Sequence, residues 1–471
     1  MSDTKKVAVI GAGPGGYAAA FMAADLGMSV TLIDPEVNPG GVCLYYGCIP
    51  SKALLHVAGL INESAEAKNW GVTFTKPKVN LDKLRSWKND VVLKLTGGLG
   101  QLSKQRKLTY IKGTATFVDN TTLEITSGGK KTNHQFDNII LATGSRPATI
   151  PIAQKFTSRI MDSTRSLALK DIPNKLLVIG GGYIGLEMGT IYASLGSKVT
   201  VVEMTDGLLP GADRDLVKVL SKRVENLFEA VLLETKVSDI KEQKNGVKVE
   251  FEGKHAKNAG KLYDRVLLAV GRTPNSTGLG LENTKVKIND RGFVQVDEQR
   301  RTDEPNIFAI GDVTGEPMLA HKATHEGRVA ASVIAGKTAA YEPKAIPAIV
   351  FTDPEIAWCG LTEVQAKKEN RTIKVARFPW AASGRAASLG QTDGVTKLII
   401  DADTDRVLGM GIAGHGAGEL IAEGVLAIEM AATAEDIGLS IHPHPTLSET
   451  IMETADLLYG LSTHYHRPQK K

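Results

Sequence analysis

Cys43 and Cys48 lie five positions apart in GGVCLYYGCIPSK, in a chain whose only other cysteine is Cys359. Three cysteines cannot build a disulfide framework, so a close pair is accidental, metal-binding or redox-active. No second cysteine pair or nearby histidine motif completes a zinc set, and no metal site is expected. Redox chemistry leads, because a thiolate is a nucleophile that a neighbouring cation or helix N-terminus stabilises. A second group, His442, His444 and Glu449 in HPHPTLSET, lies near the C-terminus. His444 titrates near working pH and suits general acid–base work, with Glu449 orienting it. The same letters spell a helix start, since Thr446 and Glu449 have capping-box spacing, and unaided this reading is the stronger. His442 and His444 at i, i+2 lack further ligands for a metal.

IPSKALLHVAGLI reads as helix, which raises a geometric difficulty. Residues five apart in a regular α-helix have Cα atoms about 8.7 Å apart, whereas a disulfide needs roughly 4.4–6.8 Å. Two residues offer a way out. Pro50 cannot donate to the Tyr46 carbonyl, and Gly47 permits backbone angles closed to other residues. The expectation is a distorted helix start that brings the sulfurs together.

The elements that must position these groups come as an internal repeat. KKVAVIGAGPGGYAAAFMAADLGMSVTLID and NKLLVIGGGYIGLEMGTIYASLGSKVTVVE each run from an apolar strand through GxGxxG and a small-residue helix to a second strand ending in an acid. The glycines are Gly11, Gly13, Gly16 and Gly180, Gly182, Gly185; the acids are Asp34 and Glu203. Strand, glycines, helix and acid in this order predict a dinucleotide-binding βαβ unit, with the pyrophosphate at the helix N-terminus and the acid on ribose hydroxyls. Two units predict two dinucleotides. A 2′-phosphate wants arginine after the second acid, and VVEMTDG has none before Arg214, so NAD is expected over NADP. NIILATGSRP and RVLLAVGRTP, which contain Gly144 and Gly271, read as matching segments that close the units, and FAIGDV as a strand ending at Asp312.

GAGPGG, GGVCLYYGCIPSK, ATGSRP, GGGYIGLE, AVGRTPN, FAIGDV and HPHPTLSE occur in this order along the whole chain. The chain thereby resembles the dihydrolipoamide dehydrogenase family of flavin disulfide reductases. The resemblance implies an α/β fold of two Rossmann-like dinucleotide-binding domains plus a C-terminal α+β dimerisation domain. The expected domains are 1–150 for FAD, 151–275 for NAD, 276–345 completing the FAD site, and 346–471 at the dimer interface. It implies FAD and NAD as cofactors, a homodimer, and as partners the lipoyl domains and acyltransferase of 2-oxoacid dehydrogenase complexes. By position, Cys43 is the interchange thiol, Cys48 faces the flavin, Lys52 lies near its N5 paired with Glu187, and Tyr183 flanks the nicotinamide side. Asp312 holds the ribityl chain, and His444 with Glu449 serves the disulfide of the other subunit. Two departures stand out. The family usually has Leu-Asn-Val where this chain has Leu44-Tyr45-Tyr46, and glutamate where it has Asp34.

Several relatives are disfavoured on visible residues. A glutathione reductase would carry arginines after Glu203. Mercuric and large thioredoxin reductases would carry cysteines after Cys359, and a transhydrogenase would lack the cysteine pair. A redox-inactive binding subunit would be free to lose Cys43, Cys48, His444 or Glu449. At 471 residues three or four domains are expected. The 56 basic and 52 acidic residues are mixed along the chain, which disfavours nucleic-acid binding. No run was expected to approach the length of a membrane span. A strand pattern starting within seven residues leaves no room for a targeting peptide, giving a cytoplasmic address or a processed organellar one. Cys359 reads as a small buried hydrophobe, and STHYHRPQKK as a frayed tail.

Overall fold

The structure, a computed structural model, describes residues 4–153, 157–258 and 260–466. KVAVI (Lys6–Ile10) is a continuous apolar run and becomes the middle strand of a five-stranded parallel sheet, buried from Val7 to Ile10. Continuous apolar runs suit strands covered on both faces. Its neighbours are Ser29–Asp34 and Asn138–Leu141, with Thr109–Lys112 and Ile307–Ala309 at the edges. Helix α1 (Pro14–Asp25) starts with Pro14 in the first turn, where the missing N–H costs nothing. Next come α2 (Gly41–Tyr46), α3 (Cys48–Glu66) and α4 (Leu81–Gln105).

The second copy builds the same sheet again. Lys175–Ile179 is central, flanked by Lys198–Val202 and Arg265–Leu268, with Ala230–Leu232 and Ile160–Met161 outermost, all parallel. Its helices are α5 (Ser163–Leu167), α6 (Tyr183–Ser194) and α7 (Arg214–Leu227). Each unit carries a three-stranded antiparallel sheet as an excursion. The closing segments Ser145–Pro147 and Arg272–Pro274 pair with each other, which ties the two units together.

Residues 276–345 contribute the edge strand Ile307–Ala309 to the first sheet and helix α8 (Ala320–Ile334), which packs on α1. Glycines permit this close approach: a Cβ on Gly327 would lie 2.6 Å from the Gly15 carbonyl oxygen. The remainder is a five-stranded antiparallel sheet from Ala348–Val350 to Val407–Gly414, with α9 (Glu363–Lys368), α10 (Gly384–Ser388), α11 (Ala417–Glu429), α12 (Ala434–Leu439) and α13 (Glu449–Tyr459). Its core includes Trp380, Leu398, Ile412 and Ile451, with Cys359 among them, 1% exposed. Burial pushes that thiol up to about 12 and keeps it inert.

Two expectations change, and one cluster needs placing. The segment Gly41–Trp70 is apolar enough by length and composition to cross a membrane, contrary to the sequence reading. Gly47 interrupts it, and α3 packs against α4 and α6 while Lys52 is ion-paired, so it is a packed helix of the fold. The tail is not frayed as far as it is described. Glu453 accepts from Ser462 Oγ, and from the Thr463 amide at 3.0 Å, and its other oxygen lies 2.6 Å from His464 Nδ1. Residues 467–471 lie outside the described set. Finally, Asp213, Asp215 and Glu363 cluster like metal ligands, but Lys397, 1% exposed, donates to all three. That ammonium joins the C-terminal domain to the start of α7.

Candidate active site

The glycine loop of the first copy separates what the fold needs from what a ligand needs. Gly11 has φ +98°, and a Cβ there would lie 2.3 Å from the Ala142 oxygen; one on Gly16 would lie 1.9 Å from the Gly11 oxygen. These two glycines are required by the chain's own packing. A Cβ on Gly13 would meet only the Gly41 Cα, at 3.9 Å. The missing side chain at Gly13 therefore leaves room for something other than protein, at the N-terminus of α1 where anions are favoured. The second copy behaves alike: Gly180 and Gly185 are crowded by backbone at 2.3 and 2.2 Å, while Gly182 has nothing within 4 Å.

Gly11, Gly13 and Gly16 open onto a cavity of about 590 Å³, also lined by Asp34, Cys43, Cys48, Lys52, Gly144, Tyr183, Glu187 and Asp312. Asp34 Oδ2 accepts from the Ala12 amide at 2.7 Å and Oδ1 from the Glu36 amide at 2.9 Å. Burial raises its pKa against these two bonds. The cradle, the acid beside it and the length of the cavity fit a dinucleotide such as FAD. Those residues would hold its pyrophosphate and ribose.

The thiol pair forms one wall. The helix breaks at Gly47 (φ −138°, ψ −109°), which ends α2 and caps α3, so Cys43 and Cys48 sit on separate helices. Pro50 is not the cause: it lies in the first turn of α3, where proline is accommodated. Both cysteines are free thiols, and Cys43 hydrogen-bonds to Cys48. That bond lowers Cys48 to about 7, with Lys52 acting in the same direction against burial. It raises Cys43, burial adding to the effect. The shifts favour the thiolate at Cys48, the first residue of α3.

Behind Cys48, Lys52 Nζ lies 2.8 and 3.0 Å from the Glu187 oxygens, and Glu187 is 3% exposed. Glu187 also accepts from the Phe351 amide at 3.1 Å, and the Lys52 ammonium stands 4.5 Å from the Phe351 ring centroid. Asp312 accepts from Ser145 Oγ, which itself accepts from Arg272 Nε at 2.7 Å. The backbone before it is fixed by buried Glu326, which accepts from the Gly311 amide at 2.6 Å and is held by Arg300 and Lys322. Sequence reading missed Phe351, Ser145, Arg272 and Glu326, which lie far along the chain from the residues they serve; only the matched ATGSRP and GRTP segments hinted at two of them.

In the second unit, Glu203 Oε2 accepts from the Gly181 amide at 2.7 Å and Oε1 from the Thr205 amide at 2.8 Å, repeating the Asp34 pattern. Arg214 is committed to the Leu208, Leu209 and Ala212 carbonyls. It is thus no ready partner for a 2′-phosphate. Gly144 and Gly271 both have positive φ, +68° and +112°, at the turns that close the units.

His444 Nδ1 lies 2.8 Å from Glu449 Oε1, and Glu449 Oε2 accepts from the Thr446 amide at 2.8 Å. The capping box expected of Thr446 and Glu449 does not form: the helix begins at Glu449, its N-cap Ser448 makes no side-chain cap bond, and Glu449 instead ties His444 to the Thr446 amide. Against the burial that would raise it, the Thr446 amide and His444 hold this carboxyl below its usual range. The imidazole is 71% exposed, and with Nδ1 engaged, Nε2 is the nitrogen able to exchange a proton. His442 is instead paired with Glu423 at 2.8 Å. No residue of the C-terminal domain lines the cavity, so within one described chain His444 is not joined to the thiols.

Comparison with known proteins gives the same direction. Residues 5–327 match the family model described as pyridine nucleotide-disulphide oxidoreductase, and residues 346–455 match the dimerisation domain of that family. The chain is 50% identical to the dihydrolipoyl dehydrogenase of Vibrio cholerae, over 97% of this chain and 96% of that one. It is 51% identical to the Haemophilus influenzae dihydrolipoyl dehydrogenase over the same shares. Among solved structures, LpdA from Mycobacterium tuberculosis superposes with TM-score 0.90 at 27% identity, over 97% of this chain and all of that one. The HOCl-induced flavoprotein disulfide reductase RclA of Escherichia coli gives 0.85 at 29%, over 96% and 100%. With its FAD- and NAD-binding units, thiol pair and dimerisation domain, the chain belongs to the dihydrolipoyl dehydrogenase family of the pyridine nucleotide-disulphide oxidoreductases.

Proposed function

We propose that the chain works as a homodimer that oxidises dihydrolipoyl groups of 2-oxoacid dehydrogenase complexes to the cyclic disulfide, with NAD⁺ as final acceptor. The hydrogen-bonded Cys43–Cys48 pair, opening onto the glycine-lined cavity with Lys52–Glu187 behind it, carries this reading. In the oxidised enzyme Cys43 and Cys48 form a disulfide. His444 of the other subunit, held by Glu449, takes a proton from a substrate thiol. The thiolate attacks Cys43 and releases Cys48 as thiolate. The second substrate thiol then displaces Cys43, which leaves as a thiol, and the substrate closes its own S–S bond. The two electrons given up by the substrate are now in the Cys43–Cys48 pair. FAD, when bound, would supply the two-electron acceptor that returns Cys43 and Cys48 to the disulfide, and the hydride that reduces NAD⁺. Lys52 offsets the negative charge of Cys48, and Glu187 keeps the ammonium in place.

Dihydrolipoamide with NAD⁺ should turn over faster than glutathione disulfide with NADPH. Faster reduction of glutathione disulfide would contradict the reading. Replacing Cys43 or Cys48 with serine should abolish lipoamide turnover while FAD stays bound.

A further inference from the structure

Tyr45 and Tyr46 stand where the family usually has Asn-Val, and the chemistry above uses neither. Three phenols hold the loop that follows Asp34. Tyr46 Oη donates to the Glu36 carboxylate, Tyr110 Oη to the Glu36 carbonyl at 3.0 Å, and Tyr45 Oη to the Asn38 carbonyl at 3.2 Å. The Glu36 amide in turn donates to Asp34 Oδ1 at 2.9 Å. Contacts therefore run unbroken from Tyr46 through Glu36 to the ribose acid, and all three line the same cavity. Tyr46 is also the last residue of α2, with Gly47 and Cys48 following. Its hydroxyl thus pins the helix that carries Cys43 to the loop beside Asp34. The bond to Glu36, with burial second, pushes the Tyr46 phenol up to about 12, so it remains a donor at neutral pH.

We propose that Tyr46 and Glu36 form a clasp that positions the adenosine end of FAD, a role this chain has added to its family's pattern. The clasp closes the cavity wall at Asp34 and fixes the end of α2, so flavin affinity depends on one phenolic hydroxyl. The inference rests on the FAD site described above.

The test is titration of flavin-free protein with FAD, followed by flavin fluorescence, with thermal unfolding of the same apoproteins. Tyr46→Phe should raise the FAD dissociation constant, by about tenfold if the whole bond to a charged group is felt at the cofactor, with a smaller fall in apoprotein stability. Glu36→Ala should do the same, and the double variant should be no weaker than the weaker single, because both remove one contact. Parent-like affinity in Tyr46→Phe, additive losses in the double variant, or a fall in apoprotein stability matching the loss of FAD would overturn the clasp. A parent chain that takes up no flavin would overturn the cofactor reading and the clasp with it.

Discussion

The Cys43 thiol and Lys52 both act to lower Cys48, which favours the thiolate at Cys48 in the reduced pair. Cys43 donates and Cys48 is held near 7, below the ordinary thiol range, so its thiolate is present above that pH and lost as pH falls through it. A thiolate signal in the reduced protein should therefore appear with a midpoint near 7. Cys43→Ala should move that midpoint upward by one unit or more, on the order of one hydrogen bond to a charged group. Lys52→Met should move it the same way by less. A midpoint that ignores Cys43 would show that its thiol does not act on Cys48. His444 is arranged differently: Glu449 lies below the usual carboxyl range and is ionised at neutral pH, ready to balance an imidazolium.

At the scale of elements, the two glycine loops make contrasting predictions. Gly13→Ala should leave the apoprotein's stability nearly unchanged but weaken FAD binding, because its Cβ meets no protein atom closer than 3.9 Å. Gly16→Ala should lower stability by roughly 3 kcal/mol, the upper range for overpacking, because its Cβ would lie 1.9 Å from a carbonyl oxygen. Thermal unfolding with and without FAD separates the two, and equal destabilisation would contradict the assignment. This contrast also marks what was legible in sequence. Glycines, acids and the repeat act over 23 residues of local chain, so their spacing spells out the βαβ unit. The distorted helix start was legible too, although proline shared a credit that belongs to Gly47. Tyr46–Glu36, Ser145–Arg272 and Lys52–Glu187–Phe351 depend on which loops the tertiary fold brings together. Spacing alone carries no record of them; the Lys52–Glu187 pair came from the family resemblance, not from periodicity.

At the scale of the whole molecule, the thiol pair and the His444–Glu449 pair belong to different ends of one chain. The C-terminal domain leaves Leu426, Met430, Leu439 and Ile441 exposed, Ile441 at 98%, close in sequence to His444. Residues 346–455 match a dimerisation domain, and these exposed apolar side chains are candidates for its contact surface. Ile441→Asp should shift sedimentation toward monomer and remove turnover together; an active monomer would contradict the proposed dimer. The most direct measurement co-expresses two inactive variants, Cys43→Ser and His444→Gln, and assays the purified mixed dimers for NAD⁺ reduction by dihydrolipoamide. Each mixed dimer carries one site with both intact halves and one with neither, so about half of the parental rate should return. Mixed dimers that form and remain inactive would contradict a site built from the thiol pair of one subunit and the histidine of the other.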